Sequence, residues 1–176
     1  AECAARGDEH FGKTLSEIQQ LSRRMSHMLS ELLDYASLGR KYEGLAPTNT
    51  RALVESITRS IREKGFVVEI EGHWPVIATL AAPLDLILRN LIQNAQKHHD
   101  GATGRIGVRC SDEASALVFT VTDDGPGIDP AHHEAVFLPF RALGSSSGTG
   151  LGLAMVKKMA EAVGGTIKLN SDPTEK

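Results

Sequence analysis

Beyond residue 49 the chain alternates amphipathic helices with short apolar strands, and this alternation restricts its possible folds more than any other feature. A helical pattern over 50–65 precedes a strand over 66–72, and a second helix contains "LDLILRNLIQNAQKHH". The third helix begins within "GTGLGLAMVKKMAEAVGG". The remaining predicted strands are "RIGVRC" and "ALVFTVTD", which form a hairpin, and finally "TIKLN". Residues 50–176 are therefore predicted to form an α+β domain, a two-layer sandwich with helices on one face of a mixed sheet.

A long helix is predicted before this domain. Residues 15–38 contain no Pro or Gly and carry apolar side chains at three positions of each heptad. A face of this width is typical of a helix in a bundle, because one helix cannot bury it alone. The alternative is that the stripe packs on the chain's own globular domain. We divide the chain into a helical element over 1–40, a linker or edge segment over 41–49, and the α+β domain over 50–176.

Composition excludes several classes of protein. The 176 residues carry a net charge of -3 and no cluster of basic residues, so we expect no nucleic-acid partner. Cys3 and Cys110 have no partners at the spacing of a disulfide framework or a zinc site, which fits a reducing cytosol. No apolar run approaches the roughly 18 residues of a membrane span, and the N-terminus lacks the layout of a signal peptide. We expect a soluble, cytoplasmic chain, although a longer parent could be membrane-anchored.

The first polar feature on the apolar scaffold is the helical segment "NLIQNAQKHH". Asn90, Asn94 and either Lys97 or His98 recur about once per helical turn and share one face. An amide oxygen on that face can ligate a hard cation such as Mg²⁺, and the lysine can contact phosphate oxygens. The alternative is an ordinary solvent-exposed polar face.

The second polar feature is "DDGPGID", which follows a strand rich in Val and Phe. Asp123, at the strand end, can accept a hydrogen bond from an exocyclic amine. Gly125 and Gly127 would allow a ligand ring to approach the backbone closely. The alternative is a tight turn, because Asp, Gly and Pro favour turns for their own reasons.

The third polar feature is the glycine-rich run that precedes the last helix. Gly148, Gly150 and Gly152 place backbone N–H groups near a helix N-terminus, which suits a phosphate group. The alternative is a flexible loop with a helix behind it. The run lacks the GxxxxGK[ST] pattern of a P-loop, and no strand precedes it as a dinucleotide-binding fold requires.

These motifs together resemble the catalytic ATP-binding domain of sensor histidine kinases, which has a Bergerat-type ATPase fold. "NLIQNAQKHH" is similar to the N box of that family, "DDGPGID" to the G1 box, "VFLPF" to the F box and "GTGLGL" to the G2 box. "LLDYASLGR" is similar to the end of the second helix of the dimerisation and phosphotransfer hairpin. The resemblance covers about residues 15–170, and it implies an ATP lid over roughly 129–149.

The resemblance implies how magnesium and phosphate would be bound. Asn94 would be the magnesium ligand, and Asn90 would make a second polar contact to phosphate or metal. Lys97 would contact phosphate, with Arg141 a candidate for the terminal phosphate. The implied glycine-rich phosphate segment is Gly148, Thr149, Gly150, Leu151 and Gly152.

The resemblance also implies how adenine would be bound. Asp123 would accept a hydrogen bond from the adenine amine, and Gly125 and Gly127 would form the adjoining wall. His98 would lie against the adenine ring, where the family often has an aromatic side chain.

The implied activity is transfer of the ATP γ-phosphoryl group to a histidine and then to an aspartate of a response-regulator receiver domain. The implied assembly is a homodimer through the helical hairpin, downstream of a sensor domain. His27 lacks the acid and the proline that follow an acceptor histidine, so we assign no catalytic residue and expect the acceptor on a helix missing from this chain. The chain also stops before the final strand that the family usually has. We expect His132 and His133 to be solvated.

Two other functions stay open at this point. An ATP-hydrolysing member of the same fold would carry a glutamate in place of Asn90 to activate water, and an amide cannot serve as that base. A nucleotide-gated interaction module would bind ATP without transferring phosphate, and the bundle helix would then serve only to assemble partners.

Overall fold

The structure is a computed structural model, and it describes Gln19, Met25 and residues 44–61, 65–113, 116–141 and 149–171. The chain divides into two compact units, Ala1–Ser37 and Leu38–Lys176. Gln19 and Met25 are helical, and the rest of the long helix predicted over 15–38, with His27, lies outside the described residues.

The second unit alternates strands and helices, as the sequence predicts. The described elements are β1 (Ala46–Asn49), α1 (Thr50–Ser60), β2 (Phe66–Gly72), β3 (Val76–Thr79), α2 (Ala81–Lys97), β4 (Gly104–Glu113), β5 (Ala116–Asp123) and α3 (Gly152–Ala162). Two short 3-10 helices, Pro130–His132 and Ala135–Phe137, lie between β5 and α3. No helix in the described ranges is long and apolar enough to span a bilayer.

The strands form two sheets. β1, at the end of the segment over 41–49, pairs with β3 in antiparallel orientation to form a two-stranded sheet. β4 is the central strand of the larger sheet, with β2 parallel on one side and β5 antiparallel on the other. The mixed character and the β4–β5 hairpin confirm the predicted fold class. The register places Ile106 opposite Asp123, which brings the end of β5 to the start of β4.

The prediction of a last strand over 166–170 is wrong for this structure. The segment has no strand conformation, and none of the described strands pairs with it. Its alternating residues Ile167 and Leu169 are half-buried, which explains the strand-like pattern. A strand also needs backbone hydrogen bonds to a neighbour, and alternation along the sequence cannot supply them.

Helix α2 is the centre of the hydrophobic core. Its apolar residues recur at helical spacing on one face, and Leu88 and Ile92 are completely buried. They pack with Ile57 of α1 and Ile106 of β4, which are also completely buried. The outward residues of β4, such as Arg109, are exposed. The larger sheet therefore has one covered face and one polar, open face.

The starts of α1 and α3 are held by different contacts. Asn49 caps α1, because its Oδ1 accepts a hydrogen bond of 3.0 Å from the Ala52 N–H. Thr50 is buried and donates its hydroxyl to the Pro75 carbonyl at 2.7 Å. Helix α3 packs against α2, and Leu151 at its start is completely buried. Apolar burial rather than a polar cap therefore fixes the position of α3.

The buried face of α2 gives a stability prediction. The Leu88→Ala change should lower the free energy of unfolding by about 2–5 kcal/mol, because it leaves a cavity in the core. Urea unfolding can be followed by the fluorescence of Trp74, the single tryptophan of the chain. The control is Leu45→Ala, because Leu45 is 70% exposed. Equal effects of the two substitutions would contradict this description of the core.

Candidate functional site

Two amide side chains of α2 approach the first residue of α3. Asn90 and Asn94 are half-buried, and Asn90 donates its amide N–H to the Leu86 carbonyl of its own helix at 2.9 Å. A Cβ added to Gly152 would lie 3.2 Å from Asn90 Oδ1 and 3.6–3.7 Å from the two terminal atoms of the Asn94 amide. The structure therefore brings together the "NLIQNAQKHH" helix and the "GTGLGL" segment.

The N-terminus of α3 beside these amides has no side-chain cap. Leu151 occupies the cap position, and its own N–H donates to Thr149 Oγ1 at 3.3 Å. The first backbone N–H groups of a helix have no partner within the helix, and the helix dipole makes this end attractive to anions. The amide oxygens of α2 thus lie beside a place suited to a negatively charged group.

The chain enters α3 through a close backbone approach at Gly150. Its φ of +70° is in the left-handed region, and an added Cβ would lie 2.7 Å from the Arg141 nitrogen and 2.8 Å from the Phe140 carbonyl carbon. Phe140 itself has a φ of +62°, which is unusual for a residue with a side chain. Backbone atoms of Arg141 therefore lie next to Gly150, and Arg141 is exposed. Gly148 lies outside the described residues.

Asp123 is the last residue of β5 and is exposed. Its Oδ1 accepts a hydrogen bond of 3.0 Å from the Gly125 N–H, which closes a tight turn. Its second carboxylate oxygen has no hydrogen-bond partner among the described residues. Gly127 completes the turn with a φ of +73°. The carboxylate thus has one oxygen used by the turn and one oxygen available to a ligand.

Lys97 and His98 end the polar face of α2, and both are exposed. Partial burial lowers the pKa of His98 below its ordinary value, and the neighbouring Lys97 ammonium lowers the pKa further. His98 is therefore biased towards its neutral form near pH 7, in which its ring is a better surface for a stacked base.

Sequence reasoning missed His99 and Asp124, the second members of the "HH" and "DD" pairs. The His99 side chain is 7% exposed, and its Nε2 lies 3.1 Å from Asp124 Oδ1. The same oxygen accepts a hydrogen bond of 2.7 Å from the Arg105 N–H. Spacing along the sequence could not show which member of each pair makes this contact.

One of the other histidines also departs from expectation. His133 is half-buried, and its Nε2 donates to the Ile128 carbonyl at 2.9 Å, so the prediction that it is solvated is wrong. The contact is possible because the first 3-10 helix turns the chain back towards Ile128. His132 is exposed, as expected.

A cleft of about 700 Å³ lies on the open face of the larger sheet, away from the amides of α2. It is lined by strand residues such as Glu69, Arg105 and Arg109, and it reaches Asp123 at one edge. The cleft lacks both the asparagine pair and the helix N-terminus. The convergence of polar groups, rather than the volume of a cavity, therefore identifies the candidate site.

The segment that carries this site matches a known family. Residues 79–176 match the family described as histidine kinase-, DNA gyrase B-, and HSP90-like ATPase. The match begins just before α2 and continues past α3. The chain belongs to this ATPase family.

Two curated proteins similar to this chain are a phytochrome-like protein and a transport sensor protein. Phytochrome-like protein Cph1 of Synechocystis sp. is 32% identical over 158 residues, which cover 86% of this chain and 21% of that protein. The C4-dicarboxylate transport sensor protein DctB of Rhizobium meliloti is 33% identical over 178 residues, which cover 94% of this chain and 28% of that protein. The chain thus spans less than a third of the length of each of these relatives.

Solved structures narrow the class to sensor histidine kinases. The mycobacterial sensor histidine kinase MprB matches with a TM-score of 0.64 and 26% identity, covering 72% of this chain and 85% of that one. Full-length ShkA, solved in complex with AMPPNP, matches with a TM-score of 0.71 and 26% identity, covering 83% of this chain and 32% of that one. The second unit has the fold of the ATP-binding catalytic core of a sensor histidine kinase.

The environment of His98 gives a titration prediction. Its pKa, measured by histidine NMR, should lie below the ordinary value of about 6.5, and Lys97→Met should raise it only partly, because burial is the larger cause. The unfolded chain then binds this proton more tightly than the native chain. The contribution of His98 to the free energy of unfolding should be retained above about pH 6.5 and lost as the pH falls towards the folded pKa. A pKa of 6.5 or higher in the native chain would contradict this description.

Proposed function

We propose that this core transfers the γ-phosphoryl group of Mg-ATP to a histidine of its parent protein and then to an aspartate of a response-regulator receiver domain. The observation that carries the proposal is the approach of Asn90 and Asn94 to Gly152 at the uncapped start of α3. Phosphoryl transfer requires mainly that phosphate oxygens be positioned and their charge neutralised. Amide oxygens beside the N-terminus of a helix can do both when a cation is bound.

The phosphate end of the proposed site is the α2–α3 contact. Backbone N–H groups of Gly150 and Gly152 would bind phosphate oxygens, with Gly148, Thr149 and Leu151 completing the phosphate-binding segment. Lys97 is the last residue of α2, and the Arg141 backbone lies next to Gly150. Both residues are exposed cations, and we propose that they contact phosphate. Gly150 supports the role, because it places no side chain beside these N–H groups and its φ of +70° favours glycine.

The donor set fits magnesium bound together with a nucleotide. Within the described ranges no three His, Cys, Asp or Glu side chains could hold a metal ion by themselves. Mg²⁺ in phosphate sites typically takes one or two protein oxygens and completes its shell with phosphate and water oxygens. Asn94 would supply one amide oxygen, and Asn90 would contact phosphate or the same ion. The bound ion would neutralise charge on the phosphate oxygens.

The adenine end of the proposed site is the turn after β5. The available oxygen of Asp123 would accept a hydrogen bond from the adenine amine, and Gly125 and Gly127 would form the wall beside the ring. His98, biased towards its neutral form, would lie against the ring face. The turn supports this role, because the Gly125 N–H already occupies the other carboxylate oxygen and orients the side chain.

The proposal extends to assembly and location. The helical element over 1–40 would contribute to a homodimeric bundle joined to the catalytic domain by the segment over 41–49, with a sensor domain upstream. The parent would place this core in the cytoplasm. Asn90 donates its amide N–H to the Leu86 carbonyl and supplies no carboxylate to activate water, which favours phosphoryl transfer over hydrolysis.

The adenine assignment predicts the effect of removing one charge. Asp123→Asn keeps the shape of the side chain and should weaken ATP binding by about 1.5–3 kcal/mol, because it removes a charge-assisted hydrogen bond. Calorimetry on the 176-residue chain measures the affinity. Asp112→Asn is the matched control, since Asp112 is an exposed strand residue at the other end of the hairpin. Unchanged affinity in Asp123→Asn would refute the adenine assignment.

The metal assignment predicts the effect of removing one amide. Asn94→Ala should abolish the magnesium-dependent part of ATP affinity, measured with magnesium and again with a chelator, while the fold is retained. With γ-labelled ATP and a full-length parent carrying an inactivated ATP site, the wild-type chain should place acid-labile label on the parent, and Asn94→Ala should not.

The control for that experiment is Gln93→Ala, because Gln93 is an exposed amide on the same helix. It should bind and transfer like the wild type. Normal transfer by Asn94→Ala would show that Asn94 does not hold the metal. Magnesium-dependent ATP binding without any labelled histidine on the parent would instead support the non-catalytic module.

A further inference from the structure

We propose that His99 is a positioning residue for the nucleotide site, which holds the Asp123–Gly125 turn in its binding geometry through Asp124. The inference rests on the proposed function, in which Asp123 binds adenine. His99 follows the C-terminal end of α2 and would itself touch neither the nucleotide nor the metal.

The His99 ring occupies a closely confined position. It packs edge-on against Phe66 of β2, with ring centroids 5.4 Å apart and an interplanar angle of 84°. A Cβ added to Gly104, the first residue of β4, would lie 2.6 Å from His99 Nε2. The ring therefore lies where the end of α2 meets the starts of β2 and β4, with little freedom to rotate.

Hydrogen bonds at both ring nitrogens assign the tautomer. The Gly101 N–H donates to Nδ1 at 2.8 Å, so Nδ1 carries a lone pair and no proton. The neutral ring then has its proton on Nε2, which donates to Asp124 Oδ1 at 3.1 Å. His99 thus accepts a hydrogen bond from the loop after α2 and donates one to the turn after β5.

Asp124 connects this bond to the sheet. Its Oδ1 also accepts from the Arg105 N–H at 2.7 Å, and its own N–H donates to the Arg105 carbonyl at 3.3 Å. The pKa of the Asp124 carboxyl lies below its ordinary value, chiefly because of the Arg105 N–H, and the His99 hydrogen bond lowers the pKa further. An ionised Asp124 is the stronger acceptor for both donors.

The adjoining turn lies directly against His99. Asp123 precedes Asp124, and its Oδ1 accepts from the Gly125 N–H. A Cβ added to Gly125 would lie 3.4 Å from His99 Cδ2 and 3.7 Å from its Cα. Displacing the His99 ring or releasing Asp124 would therefore shift Asp124 and Gly125, and with them the hydrogen bond that orients the Asp123 carboxylate.

Two conservative variants separate the two ring hydrogen bonds. In His99→Gln the side-chain N–H₂ group lies as many bonds from Cβ as His Nε2 does, so it can still donate to Asp124. In His99→Asn the side-chain oxygen replaces Nδ1 as acceptor for Gly101, but nothing reaches Asp124. The measured quantity is the ratio of dissociation constants for purine riboside triphosphate, which lacks the exocyclic amine, and for ATP.

We expect the wild type to prefer ATP, and His99→Asn to reduce this preference about fivefold, the loss typical of one displaced hydrogen bond. His99→Gln should stay within about twofold of the wild type. Affinity for the analogue should hardly change in either variant, because the phosphate end of the site is untouched. General loosening of the fold would instead weaken both nucleotides alike and leave the ratio unchanged.

A second pair of variants keeps the test decisive if His99→Asn fails to fold. The Asp124 side chain is 54% exposed, so Asp124→Ala should fold, and it should lower the ATP preference as His99→Asn does. Asp100→Ala is the matched control, since Asp100 Oδ1 lies 3.7 Å from His99 Nδ1 but on the side away from the turn, and it should keep the wild-type ratio.

Each outcome decides between the two proposals. A wild type that binds both nucleotides equally would refute the adenine role of Asp123 and, with it, this inference. A wild type that prefers ATP, with an unchanged ratio in His99→Asn or in Asp124→Ala, would overturn the role of His99 and leave the proposed function standing. Nitrogen NMR of the wild type should find the proton on Nε2, and a proton on Nδ1 alone would also overturn the inference.

Discussion

The two faces of α2 impose the constraint on which the site depends. Leu88 and Ile92 are completely buried against α1 and β4, so the core fixes the rotation of the helix about its axis. Asn90 and Asn94 lie on another side of the same helix and meet Gly152. The helix cannot rotate to carry these amides away from α3 unless a large apolar side chain leaves the core, which would cost about 2 kcal/mol or more. The hydrophobic core is therefore also the support of the polar site.

Much of this fold could be predicted because its main elements carry their own periodicity. The sequence predicts β2 with its observed bounds, since half-buried and exposed residues alternate along its first six positions. β1 and β3 were not predicted as a pair, because each has four residues and Pro47 interrupts the first. In the segment over 166–170, half-buried and exposed residues alternate as in a strand, but none of the described strands pairs with the segment.

The site was predictable where one helix or one turn carries its residues, as with Asn90 and Asn94. The contact of this pair with Gly152 is a tertiary fact, which the sequence indicates only through the resemblance of both motifs to one family. His99 and Asp124 escaped prediction because each stands beside a residue of the same type. For the two aspartates, the β4–β5 register decides which one bonds to the sheet, because it places Asp124 next to Arg105. Such pairings become visible only when strands are assembled.

A crystal structure of the chain with magnesium and a non-hydrolysable ATP analogue tests the proposed nucleotide site most directly. The adenine amine should lie within hydrogen-bond distance of Asp123, and the phosphates should lie at the start of α3. The metal should be bound by the Asn94 side-chain oxygen and phosphate oxygens. A nucleotide bound instead in the cleft on the open face of the sheet, between β2 and β5 and away from Asn94, would contradict the proposed nucleotide site.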